Sequence, residues 1–402
     1  MKYSAKEVMQ YVAEEDVKFI RLAFCDVYGK QKNISIMPGE LPRAFRHGVA
    51  IDASAIRGFG EENHSDLFLH PDPSTISVLP WRPEHGRVVR MFCDVRLPDG
   101  TPFDADARSL LRGTCEKAKE KGFTFFFGSE LEFYLFKCAE DGTPTAIPYD
   151  DAGYMDIAPA DKGENVRREI CLTLEQMGIL PESSHHEEGP GQNEIDFHYA
   201  EPLIGADQVI TVRSAVRTIA ARNGLFADFS PKPLADRAGS GMHINFSVKP
   251  QRDEDVLPFA IAGILRYAPD MTVFLNPTEN SFLRLGADKA PDRISWSPEN
   301  RSTLIRVPAA SGEYRRAELR SPDATANPYL AYVLMTEAAL YGIEEKLPLP
   351  APSQINFYTA SDAEKEQYVR LPKTLAEAKK AAAESEFIRR VLPARLIDSY
   401  CR

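Results

Sequence analysis

Carboxylates recur inside otherwise apolar, strand-like sequence at three separated places: Gly128-Ser129-Glu130-Leu131-Glu132, His185-His186-Glu187 through Gln192-Asn193-Glu194, and Arg316-Ala317-Glu318-Leu319-Arg320. Buried carboxylates repel one another and are costly to desolvate, so this pattern points to a cation between them. His243, in Gly239-Ser240-Gly241-Met242-His243, completes a candidate ligand set of Glu130, Glu132, Glu187, Glu194, Glu318 and one imidazole. Hard oxygen donors with a single imidazole suit magnesium or manganese better than zinc. Two or more divalent cations held there could bridge phosphates and neutralise charge in phosphoryl transfer. Arginines follow downstream, at Arg284, Arg301, Arg306, Arg315, Arg316 and Arg320, and their planar forks suit carboxylates and phosphates. The chain has no Gly-x-x-x-x-Gly-Lys-Ser/Thr loop, so nucleotide chemistry here would lie outside the P-loop class. The substrate would be anionic, such as an amino-acid carboxylate.

Each motif has a plainer reading by itself. A lone Glu-x-Glu is ordinarily a solvated strand face, and Arg-x-Glu-x-Arg a surface ion-pair ladder. Their common polar-face register with Gly-Ser-Gly-Met-His is what favours a site.

The elements that must position these residues follow from hydrophobic period. Phe123–Phe136 reads as a strand with Glu130, Glu132 and Tyr134 on one face and Leu131, Phe133 and Leu135 on the other. Asn193–Tyr199, Met242–Val248 and Arg316–Arg320 alternate in the same way, the second aligning His243, Asn245 and Ser247. Glu164–Gly178 and Ala206–Gly224 read as amphipathic helices. Upstream, Val17–Val27, Asn33–Met37, Thr75–Pro80 and Arg87–Leu97 read as strands of a small β-rich unit closed by Pro98-Asp99-Gly100. Asp104–Lys121 reads as a helix with Asp104 as its N-cap. The boundary falls near residue 102, dividing the chain into 13–101 and 102–402. The class is α+β, with a curved, mainly antiparallel sheet carrying helices outside and a wet, metal-lined concave side.

Composition narrows the alternatives. With 402 residues, 43% apolar and 27% charged, the chain can bury a large core across two domains. A net charge of −11 and the lack of a basic run argue against nucleic acid as a partner. Six scattered cysteines form no Cys-x-x-Cys pair, which fits a reducing, cytoplasmic setting. There is neither an apolar signal core near Met1 nor an uncharged apolar run of about 18 residues, so no membrane is expected.

The chain resembles type I glutamine synthetase, from about Val17 to about Leu392. The resemblance is carried by Asp52–Phe59, Gly128–Phe136, Ser184–Asp196, Lys232-Pro233 with Gly239–His243, Asn300–Pro308, Arg316–Arg320 and Asn327–Ala331. It implies an N-terminal β-grasp domain, a larger catalytic domain, and homo-oligomeric rings, hexamer or dodecamer, with active sites between subunits. It further implies ATP as co-substrate, L-glutamate and ammonia or another amine as substrates, and two or three magnesium or manganese ions per site. Carried over by position, Glu132, Glu187 and Glu194 would hold the metal on the amino-acid side, and Glu130, His243 and Glu318 the one at the phosphates. Arg284, Arg320 and Gly239 would contact glutamate, while Arg301, Arg306 and Arg316 would contact phosphates. Glu182 and Ser247 would lie near the nucleotide. Tyr154, and Asp52 from the adjacent subunit, would form the ammonium site.

The sequence departs from this family in the amine half. The loop Leu285-Gly286-Ala287-Asp288-Lys289 is one residue short, and Lys289 stands where a closing glutamate is usual. A lysine there would repel ammonium by roughly 1–4 kcal/mol at about 4 Å, depending on the local dielectric. Ala238 and Ala55 replace a usual asparagine and serine. These changes keep two alternatives open beside ammonia: a larger amine as acceptor, or a catalytically impaired regulatory relative. The chain stops at Arg402, without the family's usual C-terminal arm, which favours a hexamer or a weakly held dodecamer. An adenylylation insertion is missing around Ile355–Tyr368.

Overall fold

The computed structural model describes residues 3–60, 62–82, 85–310 and 312–402. After the capped helix Ala5–Glu14 (α1), the strands Val17–Cys25 (β1) and Gln31–Ile36 (β2) form a hairpin. The helix Leu41–His47 (α2) leads to Val49–Asp52 (β3), Asp66–Pro71 (β4), Ser77–Val78 (β5) and Arg87–Arg96 (β6). The sheet order is β2-β1-β6-β4-β3 with β5 on β6, and only the central β1–β6 pair is parallel. The strand expected over Thr75–Pro80 shrinks to two residues, because Pro73–Thr75 turns as a 3-10 helix on the Asp72 side chain.

The helix Ala107–Glu120 (α3) begins two residues later than expected. Its N-cap is Asp106, whose carboxylate accepts from the Arg108 and Ser109 amides, and not Asp104.

Beyond it lies a nine-stranded sheet built on the 16-residue strand Phe123–Cys138 (β7). Its partners are Pro144–Pro148 (β8), Pro181–His186 (β9), Gln192–Phe197 (β10), Leu225–Asp228 (β11), Met242–Pro250 (β12), Trp296–Pro298 (β13), Ile305–Val307 (β14) and Ala317–Leu319 (β15). The order β13-β14-β15-β12-β7-β10-β9 is antiparallel except for β13–β14, with β8 and β11 also on β7. Between these strands run the helices Glu164–Gln176 (α4), Pro202–Arg222 (α5), Leu257–Leu275 (α6), the single turn Ser281–Arg284 (α7) and Pro328–Glu344 (α8). The α+β class expected from the sequence is the one the chain adopts.

The apolar side of β7 faces α3 and α5. Phe125, Phe127, Leu131 and Phe133 are fully buried there, each side chain contributing about 1.5–3 kcal/mol relative to exposure. Tyr332 of α8 stacks on Phe127 with ring centroids 4.3 Å apart and meets Ser129 Oγ at 2.7 Å. Helices α6 and α8 cross at Gly263 and Gly342, where an added Cβ would lie 2.1 Å from a facing carbonyl oxygen, so only glycine allows the approach. The two sheets are tied by Arg108 of α3. It grips Asp207 of α5 through two hydrogen bonds of 3.0 and 2.8 Å, and reaches Asp94 at 2.5 Å and Asp72 at 3.0 Å. Among the described residues no helix is long and apolar enough to cross a membrane.

Candidate active site

Cross-strand register builds the site. On the concave face of β7, Glu130 stands opposite His243 on β12 and opposite Asp196 on β10, while Glu132 stands opposite Glu194. One strand further, Asn245 pairs with Glu318 of β15, and Glu318 with Arg306 of β14. Neighbouring strands are about 4.8 Å apart, so pairing alone places these side chains shoulder to shoulder. The ligand atoms of Glu130, His243 and Glu318 lie within 4.8 Å of one another, as do those of Glu132, Glu194 and His243, and those of His185, Glu187 and Glu194.

All of these groups except Glu318 and Asn245 line a cleft of about 430 Å³, together with Tyr154, Gly239, Arg284, Arg301, Arg316 and Arg320. A smaller pocket of about 170 Å³ continues from it past Glu130, Asp196 and Arg316, and contains Glu182 and Ser247. Asp52 lies outside both: it is exposed at the end of β3, where it caps a short turn through the Ser54 amide at 2.9 Å. Ala55 beside it also lies outside, whereas the other residues named as ligands or substrate contacts line the cleft or its continuation, apart from Glu318, which is buried.

Guanidinium groups organise the floor. Arg306 Nη1 donates to Glu318 Oε2 at 3.0 Å, and Arg320 engages the other Glu318 oxygen. Arg316 Nε donates to Asn245 Oδ1 at 2.9 Å, whose amide in turn donates to Glu130 at 2.7 Å. Arg284 is buried, and its Nη1 donates to the Ser321 carbonyl at 2.8 Å. Gly239 permits close packing beside it, since a Cβ there would meet the Pro231 carbonyl oxygen at 2.5 Å.

Burial and crowding shift the charges. Burial first, and Glu132 second, push Glu187 up to about 7 and Glu194 well above the usual carboxylate range. Burial and Glu130 raise Asp196 to about 7. Burial, then Arg320, holds His243 down to about 4, so its imidazole is neutral near pH 7. Crowded carboxylates beside a neutral imidazole form a donor set that fits divalent cations.

The mouth of the cleft carries a cation of its own. Lys289 Nζ sits 2.5 Å from Glu188 and 5.7 Å from the centre of the Tyr154 ring. Asp288, held at φ +45°, bonds Lys232 at 2.5 Å, and the Tyr358 hydroxyl lies 2.9 Å from the carbonyl oxygens of both Lys289 and Arg301, with one proton to share between them.

Sequence reasoning left out Asp196 and His185 as donors. Asp196 shares the polar face with Glu194, so the alternation held the signal. His185 precedes a buried His186 whose Nε2 bonds Asp150 at 2.9 Å.

The sequence and the fold also match known proteins. Residues 104–402 match the family described as glutamine synthetase, catalytic domain, and residues 16–98 match glutamine synthetase, beta-Grasp domain. A glutamine synthetase of Clostridium saccharobutylicum is 41% identical over 414 residues, covering 99% of this chain and 94% of that protein. One of Methanosarcina mazei is 42% identical over 410 residues, covering 98% and 92%. A solved GmaS/ADP complex superposes with a TM-score of 0.89 at 27% identity, covering 98% of this chain and 94% of that one.

Proposed function

The chain belongs to the glutamine synthetase family, and we propose that it is the ATP-dependent ligase that joins ammonia to the γ-carboxylate of L-glutamate, giving glutamine, ADP and phosphate. The observation that carries this reading is the register of β7, which sets Glu130 against His243 and Asp196, and Glu132 against Glu194, along an arginine-lined cleft. Glu130, His243 and Glu318 would hold one magnesium or manganese ion and Glu132, Glu187 and Glu194 another, with room among the remaining donors for a third. Bound there, the cations would supply charge neutralisation along the triphosphate.

The chain's own residues do the rest. Arg301, Arg306 and Arg316 bind phosphate oxygens, with Glu182 and Ser247 beside the nucleotide in the smaller pocket. Arg284, Arg320 and the Gly239 backbone hold the glutamate. A carboxylate is a poor acyl donor because its oxygen leaves badly. A γ-carboxylate oxygen therefore attacks the terminal phosphorus of ATP, the bond to ADP breaks, and γ-glutamyl phosphate results. The ammonia lone pair then attacks the acyl carbon, and phosphate leaves with the carbon–oxygen bonding pair. Asp52, donated by a neighbouring copy, takes the ammonium proton, with Glu187 and Tyr154 alongside. In this reading residues 13–101 form the β-grasp domain that brings Asp52 to the neighbour, and 102–402 the catalytic domain, in a cytoplasmic hexameric or dodecameric ring.

A second reading, with a larger amine as acceptor, is favoured by one observation. The ammonium of Lys289 already stands at the cleft mouth against Glu188 and Tyr154. An amine panel in an assay of glutamate-dependent phosphate release decides between them. Release that rises with ammonium supports the first reading; release that is flat with ammonium and rises with a monoamine or polyamine supports the second. Release with no amine tested would overturn both.

A further inference from the structure

A groove of about 950 Å³ that shares no lining residue with the cleft runs between the β1–β2 hairpin and α5. Five basic residues line it, Arg21, Lys30, Lys32, Arg213 and Arg217, and no carboxylate does. This is a local excess of cations in a chain whose net charge is −11. Lys32 reaches Asp26 only at 3.8 Å, and among the described residues the other four form no ion pair.

Arg213 is the telling member. It is 6% exposed, and its Nε has no hydrogen-bond partner among the described residues. Its Nη2 donates to the Ala326 carbonyl at 2.9 Å and meets the Met242 sulfur at 3.4 Å, and its Nη1 makes no hydrogen bond among the described residues. A buried guanidinium without a counter-ion is costly, and Arg217, one helical turn on, adds like-charge repulsion. Burial first, and Arg217 second, bring Arg213 down to about 10, with Asp323 opposing the shift. Arg217 itself lies over the Phe229 ring at 4.9 Å, which fixes its position beside Arg213. Lys30 sits exposed on the turn opposite, with Lys32 two residues on.

We propose that this groove binds a phosphate-type polyanion, seated on Arg213 and Arg217 with Lys30 and Lys32 closing over it from the hairpin. A compact anion with several oxygens can accept from two guanidinium groups four residues apart and from two ammonium groups at once. A single protein carboxylate, with two oxygens, cannot serve all four. The site is separate from the catalytic cleft and does not depend on which amine the enzyme uses.

The test is isothermal titration of the full chain with inorganic pyrophosphate at low salt, with EDTA present. The partners of the titration are Lys30→Glu/Lys32→Glu, both on the hairpin surface, and Arg316→Ala in the cleft. Expected is saturable binding of one pyrophosphate per chain, weakened at least tenfold in the double variant and changed less than twofold in Arg316→Ala. A parallel titration with a sugar phosphate tells whether an ester-borne phosphate is taken as well as the free anion. Equal affinity in the double variant, loss of binding in Arg316→Ala, or no saturable binding overturns the proposal. So does a change in assembly mass of the double variant without pyrophosphate binding to the parent chain, which would make the groove a contact between copies.

Discussion

Glu130 stands directly across from His243 on the neighbouring strand, with its Oε2 3.2 Å from the imidazole Nδ1. The pair sits where β10 also delivers Asp196, so a single residue of β7 faces donors on both sides. That makes Glu130 the joint between the cleft and its smaller continuation.

The first prediction concerns this joint. Glu130→Gln keeps size and hydrogen bonding to Asn245 but removes a charge from the donor set. Activity is expected to fall by at least the roughly 100-fold seen when groups supporting a metal ligand are lost. The rise in melting temperature on adding magnesium should shrink in parallel. Both are measured on one preparation, with circular dichroism showing an unchanged fold; full activity with an unchanged magnesium shift would remove Glu130 from the site.

The second concerns the amine. Lys289 is paired with Glu188, and half-exposed charges of this kind are screened, so a modest effect is expected. Lys289→Ala frees Glu188 and removes a cation from the acceptor side. The KM for ammonium should drop roughly three- to tenfold, about 0.6–1.4 kcal/mol, while the KM for glutamate moves little. An unchanged ammonium KM together with a raised KM for glutamate would place Lys289 elsewhere in the reaction.

The third concerns the tie between the two sheets. Arg108 is 3% exposed, and Asp72, Asp94 and Asp207 converge on it. Replacing it with Met leaves Asp207 without its cation and Asp72 and Asp94 with Arg112 alone, and a loss of about 3–5 kcal/mol is expected from urea denaturation.

The same cluster sets an acid limb. Although burial opposes it, Arg108 and hydrogen bonds from Ser74, Arg108 and Arg112 bring Asp72 down to about 2. Its folded pKa therefore lies below its unfolded value near 4, so its contribution is complete above about pH 4 and is lost as pH falls toward 2. Buried Asp106 runs the other way. Burial and Asp94 raise it to about 6, so it costs stability as pH rises from about 4 to 6. Urea midpoints measured from pH 6 to 3 should fall less steeply on the acid side in Asp72→Asn than in the parent; identical slopes would contradict the assignment.

The faces of the strands were legible in the sequence because alternation is a local property. Glu130 and Glu132 against Leu131 and Phe133 need only the two-residue period of β7. Pairing is not local, so nothing in the chain order announced that Asp196 lies beside Glu130, and a lone Asp on a polar face reads as solvated. The short strands β3 and β4 escaped for a related reason, since their four and six residues carry too little pattern to stand out. Asp104 and Asp106 are both good caps by type; only the amides that fold back onto Asp106 decide between them. The mouth of the cleft was half legible. Lys289 was visible as an odd residue, but its partner Glu188 depends on how two distant loops meet.

Isotope transfer tests the central claim most directly. If ATP activates glutamate as an acyl phosphate, one γ-carboxylate oxygen must leave with the phosphate. With glutamate carrying oxygen-18 in its γ-carboxylate, plus ATP, magnesium and the amine the panel selects, the phosphate released should contain one labelled oxygen per turnover. Phosphate without label, released at the same rate as glutamate is consumed, would contradict the account.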